Sequence, residues 1–159
     1  MLRAALLIAT GFLAITSVAE AGRMPRPAFV ERDGAGVCPV GASGCADPEG
    51  GIVYRIAGSG AFARSHEIGH VFDEQALTDP MRAWLTPQLG FAAGSDWDGA
   101  EGPAERFADA YASCDLGHSP FGRRGRWVDA YGYMPRSARA LRRVCDAIIV
   151  YGLVAAYER

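Results

Sequence analysis

Residues 63–75 read ARSHEIGHVFDEQ, with His66 and His70 four positions apart and Glu67 beside the first of them. In an α-helix, positions i and i+4 lie on one face a turn apart, so the two imidazoles project side by side and can share one cation. The neighbouring residues permit that helix. From 61 to 76 the only glycine or proline is Gly69, and Phe62, Ala63, His66, Gly69, His70 and Asp73 recur at three- to four-residue spacing. Immediately upstream, residues 50–58 (GGIVYRIAG) alternate around Ile52, Tyr54 and Ile56 between glycines, the pattern of a strand. A strand leading into a His-Glu-x-x-His helix sets the expected fold class, α+β: a small sheet over that helix, with further helices behind.

Downstream, Thr78-Asp79-Pro80 predicts the start of a short helix that Pro87 ends. Pro103 opens another, whose Phe107, Ala110, Tyr111 and Cys114 share a face, and Pro135 opens the last, with Leu141, Val144, Cys145 and Ile148 at i, i+3, i+4 and i+7. Between the first two lies the glycine-rich stretch 90–102, whose Trp97 is expected to fold back onto the core. Trp84 and Trp127 are likewise read as packing residues. No internal repeat is present.

The N-terminus reads as an export signal. Arg3 precedes an apolar run from Ala4 toward Val18, and Ala19-Glu20-Ala21 fits small-x-small processing, so residues 1–21 are expected to be removed. The run is short for a membrane span and no stop-transfer pattern follows, so no membrane attachment is expected after cleavage. Residues 22–36, rich in glycine, proline and arginine, are expected to form a flexible lead-in, and 37–159 a single domain. A secreted or periplasmic location makes the four cysteines candidates for two disulfides. Of three pairings, Cys38–Cys45 around a glycine-rich turn and Cys114–Cys145 between two predicted helices are favoured. Net charge is only −2, with sixteen basic residues that are all arginine. That balance argues against a nucleic-acid partner. Arg123, Arg124 and Arg126 form a local cluster read as a solvated loop. A monomer is expected.

Two histidines alone hold a metal weakly, so the chemistry turns on a third donor. Catalytic zinc takes three protein ligands and leaves a position for water. Glu105, Asp109, Glu101 and Asp73 all compete for that place. Glu105 and Asp109 are four apart on one predicted helix face, so one can ligate while the other accepts a hydrogen bond from the far nitrogen of a ligand histidine. Asp73, three residues past His70 on the same helix, would strain it.

HEIGH followed about 35 residues later by ERFAD resembles the gluzincin pattern of zinc metallopeptidases, and more closely that of small exported bacterial minimal gluzincins. The resemblance covers about residues 52–114. It implies a zincin-like fold, one zinc ion held by His66, His70 and Glu105, Glu67 as general base, and Asp109 behind a zinc histidine. It implies hydrolysis of a peptide or protein substrate laid as an added strand along the edge of 52–56. The metzincin pattern is excluded, because Asp73 and Ala76 stand where its glycine and third histidine would be. The chain is also too short for the substrate lobe of larger relatives, and their oxyanion donor has no mapped counterpart; Tyr131, Tyr133 and His118 are the candidates. Two rival expectations remain: a non-catalytic, zinc-stabilised secreted binding module, and a disulfide-stapled structural domain without metal.

Overall fold

The computed structural model describes residues 24–99, 102–117 and 138–158. The expected export signal, Glu101, His118, the arginine cluster, Trp127, Tyr131, Tyr133 and Pro135 all lie outside the described residues. Three strands, β1 (Val30–Asp33), β2 (Gly44–Asp47) and β3 (Ile52–Arg55), precede four helices, α1 (Ala61–Ala76), α2 (Asp79–Gln88), α3 (Pro103–Asp115) and α4 (Ala138–Tyr157). The class is therefore α+β, with a mixed three-stranded sheet in the order β1-β3-β2.

β1 runs parallel to β3, with Val30 opposite Ile52, and β2 runs antiparallel to it, with Cys45 opposite Tyr54. This corrects the expectation that 52–56 is an edge: β3 is the central strand, and β2 is the edge beside α1. The flanking strands are hard to read from sequence for a physical reason. VERD is exposed at all four positions and GCAD begins on glycine inside a cysteine-closed turn, so neither carries the apolar alternation that marks a strand. They become strands because β3 offers both its hydrogen-bonding edges. Within β3 the fully buried position is Val53, with Ile52 and Tyr54 half-buried.

The stretch 22–36 differs from the loose lead-in expected of it, as far as it is described. Met24 is in the core, the Pro25 carbonyl accepts from the Tyr111 hydroxyl at 2.7 Å, and Arg26 reaches both carboxylate oxygens of Asp115 at 2.8 and 2.9 Å. The Gln75 side chain clasps the backbone N–H and carbonyl of Ala28, and β1 follows at once. Composition marks this segment as irregular; it does not reveal that helices 47 to 89 residues further along the chain provide its partners.

α1 is the axis of the molecule. It is buried along Ser65, His66, Ile68, Gly69, Val71, Phe72 and Asp73, with the sheet on one side and α3 on the other. Gly69 makes the α1–α3 contact unusually close: a Cβ there would lie 2.9 Å from the Ala108 Cα and 3.1 Å from the Tyr111 Cβ. Since the first is backbone, no rotamer change relieves it. Glycine in a helix costs about 1 kcal/mol relative to alanine, and this close approach is what it allows. Phe72, Phe107 and Tyr111 pack around the same seam, and Trp97 folds back onto Phe107 at 6.0 Å between ring centres. α2 carries Pro87 inside its last turn and ends one residue later at Gln88. α4 buries Leu141, Val144 and Ile148 against this layer.

Two disulfides form, Cys38–Cys45 and Cys114–Cys145. The second joins α3 to α4 across a separation of 31 residues, and under the chain-entropy account it stabilises by about 3.5 kcal/mol against about 2.5 for the short first loop. Among the described residues no helix is long and apolar enough to cross a membrane.

Candidate metal centre

The site lies where α1 and α3 face each other beneath β2. Because Gly69 brings the α3 backbone against α1, the carboxylates at 105 and 109, one turn apart on α3, straddle the imidazole of His66. Asp109 is fully buried and its Oδ1 stands 2.8 Å from His66 Nδ1. A carboxylate only accepts, so the proton belongs on Nδ1, and Nε2 is left with its lone pair directed the other way. There it meets His70 Nε2 at 3.1 Å and Glu105 Oε2 at 3.3 Å, and the third edge, His70 Nε2 to Glu105 Oε2, is 3.5 Å.

Those three distances form a fit test. A tetrahedral ion bound at about 2.0–2.1 Å keeps its ligand atoms about 3.3 Å apart. The triangle of His66, His70 and Glu105 already has that size. Its chemistry also fits: the Glu105 Oε2 atom is buried and no described donor is aligned to hydrogen-bond it. The contacts at 3.3 and 3.5 Å are therefore charge attractions and not formed hydrogen bonds. Two nitrogens and an oxygen of this kind, with the ring planes 79° apart, can hold a metal ion.

The electrostatics point the same way. Burial alone would depress the His66 imidazole, but its hydrogen bond to Asp109, the approach of the Glu105 carboxylate and the charge of Glu67 outweigh it and push it up to about 9. The imidazoles of His66 and His70 hold the Glu105 carboxyl well below the usual carboxylate range, against the opposing effect of burial. The rise at His66 reflects the carboxylates around it, and the fall at Glu105 reflects the two imidazoles it faces. Burial raises the Glu67 carboxyl above its ordinary value, the two histidines pull it back, and Glu105 pushes it up further.

A cleft of about 430 Å³ opens over this group. His66, Glu67, His70 and Glu105 form its floor, and Pro39, Ala42, Gly44, Cys45, Ala46 and Pro48 form its wall. The wall comes from β2 and from the loop closed by Cys38–Cys45, so the disulfide expected as a mere staple borders the site.

Of the candidate third donors, the structure brings Glu105 to the histidines and places Asp109 behind His66. Asp73 is engaged elsewhere: its two carboxylate oxygens accept from Trp97 Nε1 at 2.7 Å and Arg82 Nε at 2.8 Å. Sequence reasoning missed Gly69 and the β2 wall. A glycine in mid-helix was a usable signal for the first; a four-residue strand opened by glycine offered none for the second. Comparison of the chain with protein-family models, with curated proteins and with solved structures found no match.

Proposed function

We propose that this chain is an exported zinc-dependent peptidase with a zincin-like arrangement, in which His66, His70 and Glu105 hold the ion and Glu67 is the general base. The observation that carries the reading is the donor triangle with edges of 3.1, 3.3 and 3.5 Å at the floor of an open cleft, with a second carboxylate beside it. Zinc is favoured over harder ions because two of three donors are imidazoles. When bound it supplies Lewis acidity, making water a nucleophile near neutral pH and polarising a carbonyl.

The chain's own residues divide the remaining work. Asp109 keeps the proton of His66 on Nδ1 and the ring in one orientation. Glu67, adjacent to His66 and therefore off the ligand triangle, takes a proton from the attacking water and hands it to the leaving amine. β2 is paired on one side only, so its free edge offers backbone groups to an extended peptide, the role the sequence reading gave to 52–56. Two disulfides fit an oxidising compartment, secreted or periplasmic. We propose a monomer that acts on a peptide or protein, with no nucleic-acid partner.

A second reading is a zinc-stabilised binding module without turnover. One observation favours it: among the described residues lining the cleft, no side chain beyond the histidines is placed to donate a proton to a developing oxyanion. The two readings separate on one experiment. Purified protein is expected to hold one equivalent of zinc by elemental analysis and to cleave a casein digest until a chelator is added. Glu67→Gln should keep the zinc and lose turnover by at least about 100-fold. Zinc without any cleavage by the unaltered chain supports the binding module, and full cleavage by Glu67→Gln removes Glu67 from its role.

A further inference from the structure

The Asp109 carboxylate holds His66, and His70 and Glu105 stand against it in the shared triangle. Glu67 is different. Its carboxylate has no hydrogen bond to another described residue; the side chain is half-buried at the floor of the cleft and feels the histidines and Glu105 electrostatically. A carboxylate with no protein donor is free to swing unless something blocks it, and a general base that swings loses rate.

What lies against Glu67 is the first residue of β2. A Cβ built on Gly44 would come 3.1 Å from the Glu67 Cγ and 3.3 Å from its Oε1, with the Tyr54 carbonyl oxygen at 3.2 Å on the far side. Gly44 does not have a positive φ, so glycine is not required there by backbone conformation. Glycine inside a strand weakens it and often marks a place where another group comes close. The wall is tethered: Gly44 is in register with Arg55 in the β2–β3 ladder, and the next residue, Cys45, is bonded to Cys38. Of the groups an added Cβ would crowd, the Tyr54 carbonyl is backbone, so the flexible Glu67 side chain is the one expected to give way.

We propose that Gly44 is a positioning residue for Glu67. The missing side chain at 44 leaves the space in which the Glu67 carboxylate stands, space that a Cβ would crowd. The arrangement leaves both carboxylate oxygens free of competing hydrogen bonds and makes the disulfide-pinned edge strand part of the base's alignment. This rests on the proposed role of Glu67 for its effect on rate, but the contact itself does not.

The test uses the full zinc-loaded chain carrying Gly44→Ala. Zinc affinity is expected to stay within about twofold, because no ligand is touched, while kcat on a casein-derived peptide falls about tenfold or more with KM little changed. A crystal structure of that variant should show the Glu67 carboxylate shifted by several tenths of an ångström with His66, His70 and Glu105 in place. An unmoved carboxylate overturns the proposal whatever the activity. A stability cycle covers the case of poor folding: Gly44→Ala should lower the urea midpoint clearly when residue 67 is glutamate and less when Glu67→Ala is also present. Equal lowering in both backgrounds also overturns it. If neither the unaltered chain nor the variant hydrolyses peptide, a displaced carboxylate upholds the contact and removes the catalytic reading of Glu67.

Discussion

Asp73 on α1 and Glu105 on α3 are both acids turned inward, and the protein treats them in opposite ways. Asp73 sits near the C-terminal end of the helix with its oxygens taken by Trp97 and Arg82, and Arg82 Nη2 also reaches its backbone carbonyl at 3.3 Å. Burial raises its carboxyl above the ordinary value, and the hydrogen bonds from Trp97 and Arg82 pull it back. Glu105 meets the middle of the helix with one buried oxygen that faces only imidazole nitrogens. A buried acid supplied with donors by its own chain stabilises a fold, whereas one left without an aligned donor beside two imidazoles could take a cation from outside. The difference lies in donor supply, even though both acids belong to the same helical layer.

The sharpest way to break this comparison is to remove each acid. Glu105→Ala is expected to weaken zinc binding by about 1,000-fold or more, roughly 4 kcal/mol, since even partners behind a ligand cost 10- to 100-fold. Its fold should persist, and calorimetric zinc titration checks it. Asp73→Ala should do the reverse: it leaves the Trp97 N–H and the Arg82 guanidinium without their acceptor and destabilises the protein by about 3 kcal/mol in denaturant. Zinc stoichiometry of the folded fraction should be unchanged. If Asp73→Ala loses zinc and Glu105→Ala keeps it, the assignment of the two acids is inverted.

Asp109→Asn sharpens the same contrast from behind the ligand. It should weaken zinc by about 10- to 100-fold without abolishing it, because His66 loses an anionic acceptor but keeps Nε2. An effect larger than that of Glu105→Ala would swap their roles. The smallest effect belongs to Glu31, which links β1 to α1 through Arg64 on the surface. The hydrogen bond from Arg64 lowers the Glu31 carboxyl against the raising effect of burial, with Arg64 and Arg55 charges adding to the lowering. A depressed acid stabilises fully above its unfolded value of 4.5 and loses that contribution as pH falls through the lower folded value. Glu31→Gln should therefore cost under about 1 kcal/mol at pH 7, because the side chain is partly exposed, and nothing measurable near pH 2.

Much of the helical layer was open to a reader of the sequence. α1 spans the stretch 61–76 read for it, α3 starts on Pro103, Trp97 returns to the core, and the cysteines pair across the glycine-rich turn and between α3 and α4 as favoured. The helices depend on neighbours within a few turns, and four cysteines leave only three pairings to choose from. The sheet was not open in the same way, since one strand of three was visible and its place was mistaken. Pro25, Arg26 and Ala28 show the same blindness at the start of the described chain, where composition implied slack and distant side chains supply Tyr111, Asp115 and Gln75 as partners.

The sequence by itself determined that two imidazoles would stand side by side, because helical phase is a local property and four residues close one turn. It also reduced the third donor to a few acids. Only the tertiary structure decided among them: the choice is made where Gly69 lets α3 press against α1, directing Glu105 to the paired nitrogens and Asp109 to the back of one ring, while Trp97 and Arg82 claim Asp73. Convergence of side chains far apart in sequence depends on packing distance and donor supply, and neither is encoded in any single stretch of residues.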